Sequence, residues 1–207
     1  MLALRLVVLA LGALLAGIGA RRVRALERQH RHRWGSDADR RELPAGGAYR
    51  AARVTILVER GVPRIVRLAA ILGMIVAACN VVVLAMVPLT LAERLGSHAD
   101  QVWLAVPLLV ALAAAVLVLA RSVAADAERL ARCEPEELEE ATAIDALLVH
   151  CGAHGVVILV ALAAVSDHLL AAVSAGTLAL VVAQLALMRR AAAHARDALR
   201  EASIVGA

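Results

Sequence analysis

The chain has 207 residues, 62% of them hydrophobic, with a mean hydropathy of +0.78. Its apolar runs reach bilayer-spanning length and exceed what a soluble core of this size can bury, which excludes an ordinary soluble domain. The formal charge of +4 and the pI of about 9.7 invite a nucleic-acid reading, but the excess comes almost wholly from one arginine-rich segment beside an apolar run. Ala, Leu, Val and Arg dominate while Lys and Phe are absent, a bias in nucleotide composition that carries no mechanism.

Leu2 to Ala20 is apolar apart from Arg5 and contains Gly12, Gly17 and Gly19. Residues 1–20 read as an uncleaved transmembrane anchor. The alternative, a signal sequence cut near Gly19-Ala20, would export the following segment with its thirteen Arg against five acids. Residues 21–67 form a basic loop. Its first part, Arg21 to Trp34, has helical character, with Glu27 and Arg31 four residues apart. Beside a membrane, Arg21, Arg22, Arg24, Arg28, Arg31 and Arg33 are expected to lie in the headgroups, each attracted to anionic lipid by about 1 kcal/mol. Lipid contact outweighs nucleic-acid binding, because no folded recognition module accompanies the charge. Leu43-Pro44-Ala45-Gly46-Gly47 breaks this segment, Tyr49 to Glu59 is a short amphipathic stretch, and Gly61-Val62-Pro63 turns into the next crossing.

Residues 68–132 read as a first helical hairpin with a cytoplasmic extension. Leu68 to Leu91 crosses the membrane carrying Cys79, Asn80 and Pro88, and Asn80 needs a hydrogen-bond partner on a neighbouring helix. Ala92 to Gln101 is an outer turn with Glu93, Arg94, His98 and Asp100. Trp103 opens the third crossing at the interface, and Pro107 lies at a depth like that of Pro88. The crossing ends near Ala120, and Arg121 to Arg132 continues as a polar, Ala-rich helix. Pro135, followed by Glu136 and Glu137, begins a new helix, because proline lacks only an amide hydrogen that a first turn does not use.

Residues 133–207 read as a second hairpin with a cytoplasmic tail. Gly155 to Met188 contains only Asp167, His168 and Gln184 as strongly polar residues, and one straight helix of that length would be about 50 Å long against a hydrocarbon core of about 30 Å. A turn at Ser166-Asp167-His168 makes two crossings of it. Arginine counts agree: the hairpin places twenty Arg on one side and only Arg94 on the other. The expected fold is therefore an all-α, polytopic bundle of five transmembrane helices in an inner (plasma) membrane, with the N-terminus outside and the C-terminus cytoplasmic.

Leu117 to Arg132 (LVLARSVAADAERLAR) aligns with Leu185 to Arg200 (LALMRRAAAHARDALR) at a constant offset, which also superimposes the two outer turns. This suggests two parallel hairpins related by an axis along the membrane normal.

Three constellations could carry chemistry. His150 and His154 share a helix face one turn apart with Cys151 beside them, a spacing that suits a divalent metal or haem given further ligands. Bis-imidazole haem would need a histidine from a partner chain or dimer. As plain structural residues, both histidines would sit near the interface. Second, His98 and Asp100 on one outer turn, with Glu93, could meet Asp167 and His168 on the other as a divalent-ion site; polar residues in turns need no such role. Third, Asn80 and Gln184 are the deep polar groups and serve helix-to-helix contacts, or line the path of a small permease.

Cys79, Cys133 and Cys151 face no oxidising compartment under this topology and form no CxxC pair. Phosphate-binding and nucleophile-elbow motifs are absent as well. The resulting expectation is a non-enzymatic accessory or scaffold subunit. It would act through helix packing and a charged cytoplasmic face, as a homo-oligomer or on another membrane protein, with membrane lipids as further partners. A metal- or haem-binding redox or transport protein and a small permease are the alternatives.

Overall fold

The computed structural model describes residues 2–29, 55–95, 102–132, 144–164 and 166–205. Five long helices occupy them: α1 (Leu2–Gln29), α2 (Val62–Leu95), α3 (Val102–Arg132), α4 (Ile144–Leu159) and α5 (His168–Val205). No strand occurs among the described residues. Three helical stretches, Leu2–Gln29, Val62–Thr90 and His168–Ala198, are long and apolar enough to cross a membrane, and Leu148–Leu162 is a shorter apolar helix.

The break expected at Ser166-Asp167-His168 is present. The last turn of α4 widens into a π-helical segment, Val160–Ala164, and the Asp167 amide reaches back to the Ala161 carbonyl at 2.7 Å. Ser166 adopts the left-handed conformation (φ 52°), unusual for a residue with a side chain, and α5 starts two residues later. The turn before α2 is equally legible: a helical segment at 55–59 ends at Gly61, whose φ of 71° suits a residue without Cβ, and α2 follows at once.

α2 is the central helix. Of the residues in its spanning window 61% are buried, against 6% for α1, so α1 lies at the periphery with one face on α2. Paired residues give the registers. Along α1 and α2, Arg5 meets Thr90 and Glu93, Gly12 abuts Val82, Gly19 abuts Met74, and Glu27 pairs with Arg67. Along α2 and α5, Thr90 bonds Asp167 and Gly73 lies against Gln184. A Cβ on Gly73 would stand 2.7 Å from the Gln184 amide nitrogen and 3.0 Å from the Ala127 methyl, so three helices converge where only glycine fits.

The largest apolar core lies at one end of the bundle. It joins Val23 of α1, Leu57, Val62, Val66 and Ala69, Ala127 and Leu130 of α3, and Ala191, Ala195 and Ala198 of α5. Alanine on α3 and α5 lets these helices approach α2 closely. Ion pairs surround this core: Arg22 with Glu128, Arg67 with Glu27, and Arg60 with Asp197 and Glu201.

Helix occupies both described ends of residues 21–67: the helical character expected from Arg21 onward is present through Gln29, and 55–59 and 62–67 are helical as well. α1 continues past Ala20 through Gln29, and Arg21, Arg22, Arg24 and Arg28 ride on that continuation. Val23, fully buried, holds it in the bundle, and Arg22 is taken by Glu128. Arg31 and Arg33, the helix start at Pro135 and Cys133 lie outside the described residues.

Candidate functional site

The ends of α1, α2 and α5 opposite the large core meet in a compact ionic cluster. Arg5 grips Asp167 with two prongs, Nη1 to Oδ1 at 3.1 Å and Nη2 to Oδ2 at 2.8 Å. The same Nη2 donates to Glu93 Oε2 at 2.6 Å. The Thr90 hydroxyl donates to Asp167 Oδ2 at 2.6 Å. From its own helix, Asp167 Oδ1 accepts the amides of Leu169 (3.1 Å) and Leu170 (3.0 Å), which makes it the N-cap of α5. Burial alone would raise this carboxyl. The Thr90 hydroxyl, the Leu170 amide and the Arg5 guanidinium together outweigh it and hold Asp167 below its ordinary value.

Arginine in an apolar helix is costly unless matched, and here the match comes from two other helices. Arg5 and Arg22 are seventeen residues apart on α1, about 26 Å along the axis, and each sits in an ion pair. The two ionic layers thus bound an apolar band close to the hydrocarbon thickness of about 30 Å. A polar cleft of about 290 Å³ opens at the first layer, walled by Arg5, Thr90, Glu93, Ser166, Asp167 and His168.

A second polar layer lies deeper. His154 of α4 is fully buried and its Nε2 donates to Oδ1 of Asn80, also fully buried, at 2.8 Å. Asn80 is ten residues below Thr90 on α2, so this bond sits about 15 Å beneath the Arg5 cluster, near mid-band. The His150 ring stacks on His154 with centroids 6.2 Å apart. Asn80 Nδ2, His154 Nδ1 and the Ser174 hydroxyl are buried with no hydrogen-bond partner among the described residues. Thr177 answers its own helix, bonding the Val173 carbonyl at 2.8 Å.

The expected helix contact of Asn80 therefore exists, and its partner is the histidine that the sequence placed at the interface. The bond sets His154 level with Asn80, between the two ionic layers. Cys151 is exposed whereas both histidines are buried, and Cys79 and Cys151 are free thiols. Among the described residues no three His, Cys, Asp or Glu side chains gather as a metal site. Gln184 is buried, but it packs against Gly73 at a different level from Asn80. Of the proposed outer cluster, Asp167 and Glu93 are joined through Arg5, His168 is exposed on the cleft rim, and His98 and Asp100 lie outside the described residues.

Arg5 and Thr90 were missed as site residues. The signal for Arg5 was available: a lone cation in an apolar run needs an acid at equal depth on another helix. Thr90 carried none.

The fold and its two polar layers define an all-α protein whose apolar helices are compatible with a membrane location. Set against models of protein families, curated proteins and solved structures, the chain matches none of them.

Proposed function

We propose that this chain is a five-crossing inner-membrane protein, N-terminus outside and C-terminus cytoplasmic, that works as a non-enzymatic accessory or scaffold subunit, pairing with a second copy or with another membrane protein. One observation carries the reading. On α5, Ala172, Ala175 and Gly176 share one face at helical spacing, all three are exposed, and nothing lies within 4 Å of the position a Gly176 Cβ would take. Small residues on an open face of a spanning helix allow a second helix to approach closely, where packing and not hydrophobicity drives association. The deep polar groups fit the same reading, since the bonds of Asp167, Arg5 and the Asn80–His154 pair tie helices to one another.

Further support comes from the charge distribution. Arg5, Glu93 and Asp167 lie at one end of the bundle, whereas Arg21, Arg22, Arg60, Arg67, Arg189 and Arg190 lie at the other, the pattern expected of a cytoplasmic face. The parallel repeat belongs to this proposal, with α2–α3 and α4–α5 as its two hairpins. The test is a photo-crosslinking residue at Gly176 in native membranes. A discrete protein adduct is expected, and mass spectrometry would identify it as this chain or another. Lipid adducts alone would overturn the reading.

A further inference from the structure

The polar cleft at the Arg5 end has charges that do not cancel. Arg5 contributes one positive charge, and Asp167 and Glu93 one negative charge each, so the described walls carry a net charge of minus one. Asp167 spends its lone pairs on Arg5, Thr90 and two backbone amides, and it also occupies the N-terminus of α5, where an anion would otherwise settle. Glu93 is different. Among the described residues its one hydrogen bond is from Arg5 to Oε2, its side chain is 34% exposed, and Oε1 faces no donor. The unbalanced charge therefore sits on the rim, at Glu93.

Two further acceptors share that rim. Ser166 and His168 are exposed, line the same cleft and make no hydrogen bond among the described residues. Ser166 is held in a left-handed conformation that the turn could obtain at lower cost from glycine. A carboxylate oxygen, a hydroxyl and an imidazole nitrogen offer three acceptors, the number that the three N–H bonds of a primary ammonium group require. Leu169, half-buried in the wall, supplies an apolar surface for a methylene group. A divalent cation fits less well, because no three His, Cys, Asp or Glu side chains converge among the described residues. An anion would meet the surplus negative charge.

From these features we infer that the cleft between α1, α2 and the start of α5 is a binding site for a primary alkylammonium group, with Glu93 as its counter-ion and Ser166 and His168 as its remaining acceptors. The group could belong to a free amine or to the headgroup of an aminophospholipid at the same membrane surface. The site is independent of the assembly proposed above: it uses none of the α5 small-residue face.

The experiment is titration of the purified full-length chain, in phosphatidylcholine nanodiscs, with ethylammonium and with tetramethylammonium, which has the same charge and no N–H donor. Ethylammonium is expected to bind with a Kd on the order of 1 mM, as its few atoms permit. Tetramethylammonium should bind at least about tenfold more weakly, because it lacks the charge-assisted hydrogen bonds. Glu93→Gln should abolish binding. Because that change also alters the Arg5 pair, the Ser166→Gly/His168→Ala variant, confined to exposed side chains, is the second arm, and it should weaken ethylammonium about tenfold with no loss of thermal stability, since glycine suits the left-handed turn at 166. No saturable binding up to about 50 mM, equal binding of the two cations, or unchanged affinity in the double variant would overturn the site. With binding in hand, phosphatidylethanolamine nanodiscs identify the source: loss of ethylammonium binding there assigns the lipid headgroup, and retention assigns a free amine.

Discussion

Arg5 and Asp167 stand 162 residues apart in the chain and form a two-pronged ion pair that fastens the first helix to the start of the last. Both side chains are largely buried, so removing one partner leaves the other only partly compensated, Arg5 by Glu93 and Asp167 by Thr90 and two backbone amides. Asp167→Asn, which can keep the N-cap bonds, should destabilise the protein by about 3–5 kcal/mol, as should Arg5→Met. The double variant should lose less than the sum of the two. Strictly additive losses in a denaturation series in mixed micelles would mean that the pair is not coupled. Exchanging the two residues should fail to restore stability, because an arginine at position 167 cannot cap α5.

The depressed Asp167 carboxyl makes this pair pH-dependent with a defined sign. Its folded value lies below the ordinary 3.8, so as pH drops under 3.8 the unfolded chain takes up the proton first. The stabilisation is fully present above that value and is lost as pH falls through the depressed folded one. Thermal unfolding from pH 7 downward should show the wild type losing stability more steeply below about pH 4 than Asp167→Asn does. Parallel pH profiles for the two proteins would contradict the assignment.

The Asn80–His154 bond should behave as a helix-to-helix tie of modest strength. A double-mutant cycle with Asn80→Ala and His154→Ala is expected to give a coupling of about 0.6 kcal/mol, and no more than about 1.7. Each single change should cost more than the coupling, because it strands the surviving partner in an apolar layer. A coupling of zero would show that the two side chains do not meet.

At Gly73, α2, α3 and α5 approach so closely that an added Cβ would meet both Gln184 and Ala127. Gly73→Ala should cost about 1–3 kcal/mol by forcing Ala127 and Gln184 outward. Gly152→Ala, at an exposed helix position with nothing within 4 Å, should be neutral or slightly stabilising in the same unfolding assay.

Orientation can be read by cysteine accessibility in a background with Cys79, Cys133 and Cys151 replaced. Ser166→Cys should react with a membrane-impermeant maleimide in intact cells, and Arg190→Cys only after permeabilisation. The reverse pattern would invert the proposed topology.

Much of the architecture was readable from local chemistry. Apolar length marked the three helices that are long and apolar enough to cross a membrane, the Ser166-Asp167-His168 interruption marked the last turn, and Gly61 marked the entry to α2, because hydropathy and turn chemistry act on neighbouring residues. Helix continuity past Arg21 was not readable. A charged run looks alike as a headgroup-bound segment and as the end of a packed helix, and only Val23 meeting the α2–α3–α5 core separates the two.

The sequence by itself determined that this chain is helical, apolar enough for a bilayer and strongly asymmetric in arginine, since these follow from composition and short-range periodicity. Only the tertiary structure decided that Arg5 belongs to Asp167 and Glu93, and that Asn80 belongs to His154. Those pairings depend on the registers of α1, α4 and α5 against α2. Register is set by packing at positions such as Gly12, Gly19 and Gly73, through contacts between residues distant in the chain.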